Sequence, residues 1–266
     1  MLLLTACRSG EDPAGLGPGR SLRIATTTSL EASGLLDVLL PAFQRHSGIS
    51  VHAVVVGTGQ ALKFAESGDC DAVLVHDREG EERLLSAGVL IERRMFARND
   101  FVVVGPPEDP AGVRQSPSII EAFRRVAEKG AFFISRGDDS GTHRAERRLW
   151  EKCGIRPAEA WYLSAGQGMI ETLLMADEKR GYALSDRSTF LRAKKRFELE
   201  ILHQGGREVR NEYAILLVNP ARHPHARHRE AHQLLEFLLS PEGQRLIGSV
   251  TAAGTRLFEP AVGEAP

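Results

Sequence analysis

Cysteine is scarce in this chain. Cys7, Cys70 and Cys153 are the only three in 266 residues, and no two form a Cys-x-x-Cys pair. Metal-ligand spacing is therefore missing, and no metal or cofactor is expected. Cys70 and Cys153 read as small buried hydrophobes, a common place for free thiols. Net charge is also nearly absent, at -1 from 34 basic and 35 acidic residues. That balance gives no basis for broad nucleic-acid attraction, which needs a clustered basic surface. An anion would have to be held at a local site. No run approaches the roughly 20 apolar residues of a membrane span, and there is no Walker-type phosphate loop. What is present, 42% hydrophobic and 26% charged residues, belongs to a soluble globular protein, long enough for one large domain or two small ones.

The chain opens Met1-Leu2-Leu3-Leu4-Thr5-Ala6-Cys7, an apolar run ending like the cleavage box of a bacterial lipoprotein signal, in which the cysteine becomes the lipidated first residue. It has no basic start and a core shorter than the roughly 7–15 residues of a full signal, so the true start is expected upstream; a chance apolar terminus is the other reading. Residues 8–20 are rich in Gly and Pro and poor in large apolar groups, the composition of a tether. The protein would be anchored to a membrane rather than embedded in it.

From Leu22 the pattern alternates. Strands are expected at 22–25, 51–56, 72–75, 101–105, 131–135, 181–185 and 213–218, with apolar stripes at helical spacing between most of them. Ser33 reads as the N-cap of the first helix and Gly48 as its end. Strand–helix–strand alternation implies an α/β fold with a parallel sheet wrapped by helices.

Three segments share one plan: Thr26-Thr27-Thr28-Ser29, Gly57-Thr58-Gly59-Gln60, and the run from Ser135 to Thr142 (Ser-Arg-Gly-Asp-Asp-Ser-Gly-Thr). Each is a strand end, a loop of Gly, Ser and Thr, then a helix start. A helix N-terminus offers unpaired N–H groups and a positive dipole end, glycine admits close approach, and hydroxyls add donors. Any one such loop also fits an ordinary N-cap or solvent loop. The third adds Arg136, a permanent charge with a fork of donors suited to a tetrahedral oxyanion; a surface ion pair with Asp138 or Asp139 explains it equally well. Gly166-Gln167-Gly168-Met169 is a fourth candidate, or a tight turn. Ser140 and His143 share one helical turn, a poor geometry for a catalytic triad. His223, His225, His228 and His232 read as solvated surface residues.

In order, Thr26-Thr27-Thr28-Ser29, Ser33-Gly34-Leu35-Leu36, Val56-Gly57-Thr58-Gly59-Gln60-Ala61-Leu62, Val75-His76-Asp77-Arg78, Asn99-Asp100-Phe101-Val102-Val103-Val104-Gly105-Pro106, the 135–143 run, Leu149-Trp150, Trp161-Tyr162 and the 166–169 loop resemble the tungstate-binding component of a bacterial ABC transporter, the Tup type. The resemblance runs from about residue 22 to 248. It implies a two-lobed periplasmic-binding-protein fold of type II topology with the ligand in the inter-lobe cleft. Residues 21–100 plus 211–266 would form lobe one and residues 101–210 lobe two, behind a signal and tether at 1–20. Thr27, Thr28, Ser29, Thr58 and Gly59 would donate from lobe one; Arg136, Ser140, Gly141, Thr142 and Gly168 from lobe two. The resemblance also implies a monomer in the periplasm or at the cell surface, lipid-anchored at Cys7. It would pass tungstate or molybdate to a permease and its ATPase, with no reaction of its own.

Asp138 and Asp139 discriminate among anions. Phosphate carries a proton near neutral pH and gains from a carboxylate acceptor, whereas tungstate, molybdate and sulfate are bare dianions that an inward carboxylate repels. Physical chemistry alone does not divide tungstate from molybdate, which are nearly the same size; only the resemblance favours tungstate. The rivals are a phosphate or sulfate binder, an enzyme acting on an anionic metabolite, and a ligand-sensing regulatory domain.

Overall fold

A computed structural model describes residues 20–261 other than residue 159. Cys7 and residues 8–19 of the tether lie outside the described residues. From the amino end the chain forms β1 (Ser21–Thr27), α1 (Thr28–Ala32), α2 (Leu35–Ser47), β2 (Ser50–Val56), α3 (Thr58–Ser67), β3 (Ala72–Val75), α4 (Arg78–Ser86) and the long β4 (Leu90–Gly105). The middle holds α5 (Ile119–Lys129), β5 (Phe133–Ser135), α6 (Gly141–Cys153), β6 (Tyr162–Ser164), α7 (Met169–Glu178), β7 (Ala183–Asp186), α8 (Arg187–Ala193) and β8 (Glu200–His203). Then come β9 (Arg210–Val218), α9 (His228–Leu239), α10 (Pro241–Ser249) and the short strands β10 (Thr251–Ala252), β11 (Thr255–Arg256) and β12 (Glu259–Pro260).

The first sheet runs β12-β4-β9-β3-β1-β2, with β1 parallel to β2 and β3, and β9 antiparallel to β3 and β4. Residues 90–100 of β4 pair with β9, and residues 101–105 leave that ladder to pair with β7 and β8. One continuous strand thus serves two sheets. Buried apolar residues follow the same division. Two clusters draw only on residues 22–97 and 213–258, and in the larger of them Leu22, Ile24 and other aliphatics are joined by Phe43, Phe96, Tyr213 and Phe258. Two more draw only on residues 101–209. Two self-sufficient cores joined by crossing strands is the form of a protein whose lobes can move relative to one another.

Three local expectations are corrected. Residues 26–29 do not form a loop: β1 continues through Thr27 and α1 begins at Thr28, because Thr26 and Thr27 are β-branched and have strand partners in β2. The N-cap of α2 is Gly34 at φ 71°, not Ser33; Ser33 Oγ still accepts from Leu35 N at 3.2 Å. The strand expected at 101–105 begins eleven residues earlier, at Leu90, its charged Glu92, Arg93, Arg94 and Arg98 having masked the β-pattern.

Candidate oxyanion-binding site

The strand that ends at Ser135 delivers Arg136 into the interior, where it is 3% exposed and the only Lys or Arg among the described buried residues. Gly137 turns the chain at φ 63°, a left-handed conformation that costs glycine little. A Cβ there would also strike Ser164 Oγ. Asp138 accepts from Arg136 Nη2 at 2.5 Å through Oδ2 and from Ser140 N at 3.2 Å through Oδ1. Asp139, with its side chain 62% exposed, pairs with Arg144 at 2.7 and 3.0 Å. Arg144 and the surrounding cations hold its carboxyl below the usual range. Each aspartate is therefore committed to a cation or a backbone donor. Ser140 caps α6, its Oγ accepting from His143 N at 3.3 Å. Arg136 Nε and Thr142 Oγ1 are buried with no hydrogen-bond partner. Burying such groups unpaired costs about 1–3 kcal/mol each, so two together mark a place built to donate to something else.

Lobe one faces this helix start. Thr58, the first residue of α3, accepts from Gly141 N at 3.0 Å through its hydroxyl, which links the first residues of α3 and α6 across the cleft. Thr27 and Ser29 are buried, and their hydroxyls lie 3.0 Å apart. Thr28 is only partly buried at the start of α1. Gly59 approaches the Arg144–Asp139 pair so closely that a Cβ would stand 2.7 Å from both side chains. Gly168 caps α7 half-buried, its carbonyl accepting from Thr172 N and Oγ1 at 3.0 and 2.9 Å. Its loop reaches the others through Gly166, whose nitrogen lies beside Gly137. Thr27, Ser29, Thr58, Arg136, Ser140, Gly141 and Thr142 are thus brought together, with Thr28, Gly59 and Gly168 at the margin.

The model of the PBP superfamily domain matches residues 12–242. The chain is 40% identical to the tungstate-binding protein TupA of Peptoclostridium acidaminophilum, an alignment covering 97% of this chain and 93% of that protein. It belongs to the PBP superfamily and to its TupA family. Two solved structures extend the likeness to three dimensions. The tungstate ABC transporter structure from Geobacter sulfurreducens has TM-score 0.79 at 45% identity, covering 85% of this chain and 97% of that one. The tungstate-binding TupA of Desulfovibrio alaskensis G20 has TM-score 0.81 at 39% identity, covering 91% and 98%. The α/β fold is the two-lobed periplasmic-binding-protein type that the sequence led us to expect.

Behind the cradle of this TupA-family chain lies a network that sequence reasoning left without a role. His76, at the end of β3, is buried between Phe101 and Tyr213. Its Nε2 is 3.0 Å from Ser29 Oγ and its Nδ1 2.8 Å from Asn211 Oδ1. Asn211 Nδ2 donates to Asp186 Oδ2 and Asn99 Oδ1, both at 2.9 Å, and Tyr213 donates to the same carboxylate at 2.6 Å. Asn99 Nδ2 also donates to Asp186, at 2.7 Å. Asp77, also buried, receives Arg144 at 2.7 Å and Arg148 at 3.1 Å from α6. Under the Arg136 loop, Glu146 accepts from Tyr162 Oη at 2.6 Å and Trp150 Nε1 at 3.3 Å, and burial pushes its carboxyl up to about 7. The available signal was a polar His76-Asp77 pair at the end of a fully apolar strand, on the edge where ligand loops gather.

No described trio of His, Cys, Asp or Glu is placed to hold a metal ion. His228 and His232 instead pair with Glu92 at 3.2 and 3.4 Å on a partly exposed face.

Proposed function

We propose that this chain is an extracytoplasmic solute-binding protein that captures tungstate, and molybdate with it, and hands the anion to an ABC transporter. The observation that carries this reading is the buried Arg136 with its unpartnered Nε, followed by a helix start that holds the unpartnered Thr142 hydroxyl and touches Thr58 across the cleft. A bare dianion suits donors without acceptors, and both nearby aspartates are already engaged. The names of the relatives support tungstate in particular.

In this reading residues 21–100 plus 211–266 form lobe one and 101–210 lobe two. Thr27, Ser29, Thr58 and Gly59, with Thr28 beside them, donate from the first. Arg136, Ser140 and Thr142 donate from the second, next to Gly141, whose N–H is held by Thr58, and with Gly168 on its rim. Only the closed form makes both sets of bonds, so the ligand stabilises closure. The protein works as a monomer without catalysing a reaction, is tethered through Cys7, and presents its closed form to a permease driven by an ATPase. No helix among the described residues is long and apolar enough to cross a membrane.

Calorimetric titration with tungstate, molybdate, sulfate and phosphate tests the reading. Tight tungstate and molybdate binding with weak sulfate and phosphate is expected. Tight phosphate binding without tungstate heat would overturn it, and turnover of a phosphorylated metabolite would favour an enzyme.

A further inference from the structure

The hydrogen bonds around His76 have a direction that the chemistry of their ends fixes. Asp186 can only accept, so the amide nitrogen of Asn211 must face it, at 2.9 Å. The oxygen of Asn211 then faces His76 Nδ1, which must carry a hydrogen. In a neutral imidazole Nε2 is left as an acceptor, and it takes the hydrogen of Ser29 Oγ. Ser29 Oγ in turn accepts from Thr27 Oγ1. With neutral His76 the hydroxyl hydrogens of Thr27 and Ser29 are both spent along the chain toward the ring, so neither is left for a ligand. That polarity is wrong for a dianion. An added proton on Nε2 reverses it: the ring donates to Ser29, and with Thr27 and Ser29 still bonded to each other one hydroxyl hydrogen of the pair becomes free to point at an oxyanion.

We propose that His76 is the positioning residue that sets the donor polarity of Thr27 and Ser29, and that the dianion is taken up together with one proton on its imidazole. The inference rests on the oxyanion reading above. The proton comes from solvent, the Nε2 lone pair takes it as the one new N–H bond, and the net charge brought into the cleft falls from two negative to one.

The charges around the ring agree with this. Arg136, the one buried cation among the described residues, is already half-engaged by Asp138, so two negative charges entering here meet no free unit charge. Facing His76 are Ser29 from α1, Asp77 next to it in the chain, Phe101 from β4, and Asn211 and Tyr213 from β9. Asp186 lies at the end of β7, Arg136 in the loop before α6, and Gly141 at the start of α6. Burial holds the free imidazole below its ordinary value, while Asp186 and Asp77 pull the other way and Arg136 opposes protonation. A bound dianion offsets the Arg136 effect and raises the affinity for the proton, so binding and protonation reinforce each other.

The test is titration calorimetry of the whole protein with tungstate near pH 7, in two buffers of different ionisation enthalpy. Proton uptake is expected, and affinity should fall up to tenfold per pH unit as pH rises from about 6 to 8. His76→Gln should bind tungstate more weakly, with no uptake and a flat pH profile. Glu146→Gln should keep the uptake. If His76→Gln does not fold, the ring nitrogens of wild-type His76 followed by NMR decide: both protonated with tungstate supports the proposal, and one protonated with and without it overturns it. Equal heats in both buffers, or uptake that survives in His76→Gln and vanishes in Glu146→Gln, would also overturn it. The absence of tungstate heat in every buffer would instead overturn the oxyanion reading and this inference with it.

Discussion

The first lobe brings neutral groups to the cleft: the hydroxyls of Thr27, Ser29 and Thr58, backed by a histidine whose ring is buried in a carboxylate and amide network. The second brings Arg136, a helix start and two unpartnered donors, Arg136 Nε and Thr142 Oγ1. The difference suggests a division of work. A permanent charge and fixed dipole attract a dianion whether or not the lobes are closed. Neutral hydroxyls add little at a distance and much in contact, so they reward closure. An opened protein would hold an anion weakly on lobe two alone.

The sharpest way to break this division is Arg136→Ala. Loss of one buried, charge-assisted donor set costs about 3–5 kcal/mol, so tungstate binding should weaken by about a hundredfold to a few thousandfold by calorimetry. The fold should persist by circular dichroism, because the ion-pair partner of Arg136, Asp138, lies two residues away in the same loop. Affinity within tenfold of wild type would move the weight of capture to lobe one.

How far these features could be read from sequence depended on their separation along the chain. The 26–29, 57–60 and 135–142 segments were legible because a Gly, Ser and Thr cluster after an apolar run is a local signal. Arg136 was legible as the cation within one of them. The His76–Asn211 bond joins residues 135 apart and the Asp77–Arg144 bond residues 67 apart; nothing local to either partner announces the other. Most of the longer strands were likewise visible, but not their order in the first sheet or the antiparallel placing of β9 between β3 and β4. The early start of β4 was not, since its charged stretch pairs with β9 at the crossover between sheets.

Gly141→Ala probes the fit between the halves without touching charge. Alanine is the better helix former, and Gly141 has ordinary helical geometry. A Cβ there, however, would lie 2.5 Å from His76 Cε1 in the facing lobe. Tungstate affinity should fall about a hundredfold, roughly 3 kcal/mol, with the melting temperature of the free protein unchanged or raised. Small-angle scattering should show that tungstate no longer contracts the molecule. Unchanged contraction would mean that the lobes meet elsewhere.

Glu146→Gln separates the stability of lobe two from its binding. The Glu146 carboxyl lies near 4.5 when unfolded and about 7 when folded. A raised acid means that the folded state holds a proton the unfolded state has lost, so wild-type stability should decline as pH rises between those values. At pH 8 the substitution should stabilise by about 2 kcal/mol, less than the roughly 3 kcal/mol implied by the whole shift, because the new amide N–H groups need partners. At pH 4, where the wild-type carboxyl is mostly protonated both folded and unfolded, only the cost of the new amide N–H groups remains, so the substitution should destabilise slightly. Thermal unfolding at both pH values checks this; equal effects at both would show that folding does not raise the Glu146 carboxyl.

The smallest effect expected is at the bridge between the halves. Asp77 is buried in lobe one and receives Arg144 and Arg148 from α6, and both arginines are partly solvated. Solvent screening limits what such pairs contribute, and Arg144 keeps Asp139 as a second partner. Asp77→Asn preserves the shape and one acceptor oxygen, so the change removes the charge and one of the two arginine bonds. We expect tungstate affinity to fall about fivefold, roughly 1 kcal/mol, and to become less sensitive to salt, since the wild-type bridge weakens as ionic strength rises. Calorimetry at low and high salt measures both. If Asp77→Asn instead matches wild type at every salt concentration, the ion pairs follow closure without favouring it. The preference for the closed form would then rest on the Thr58–Gly141 bond and on the anion itself.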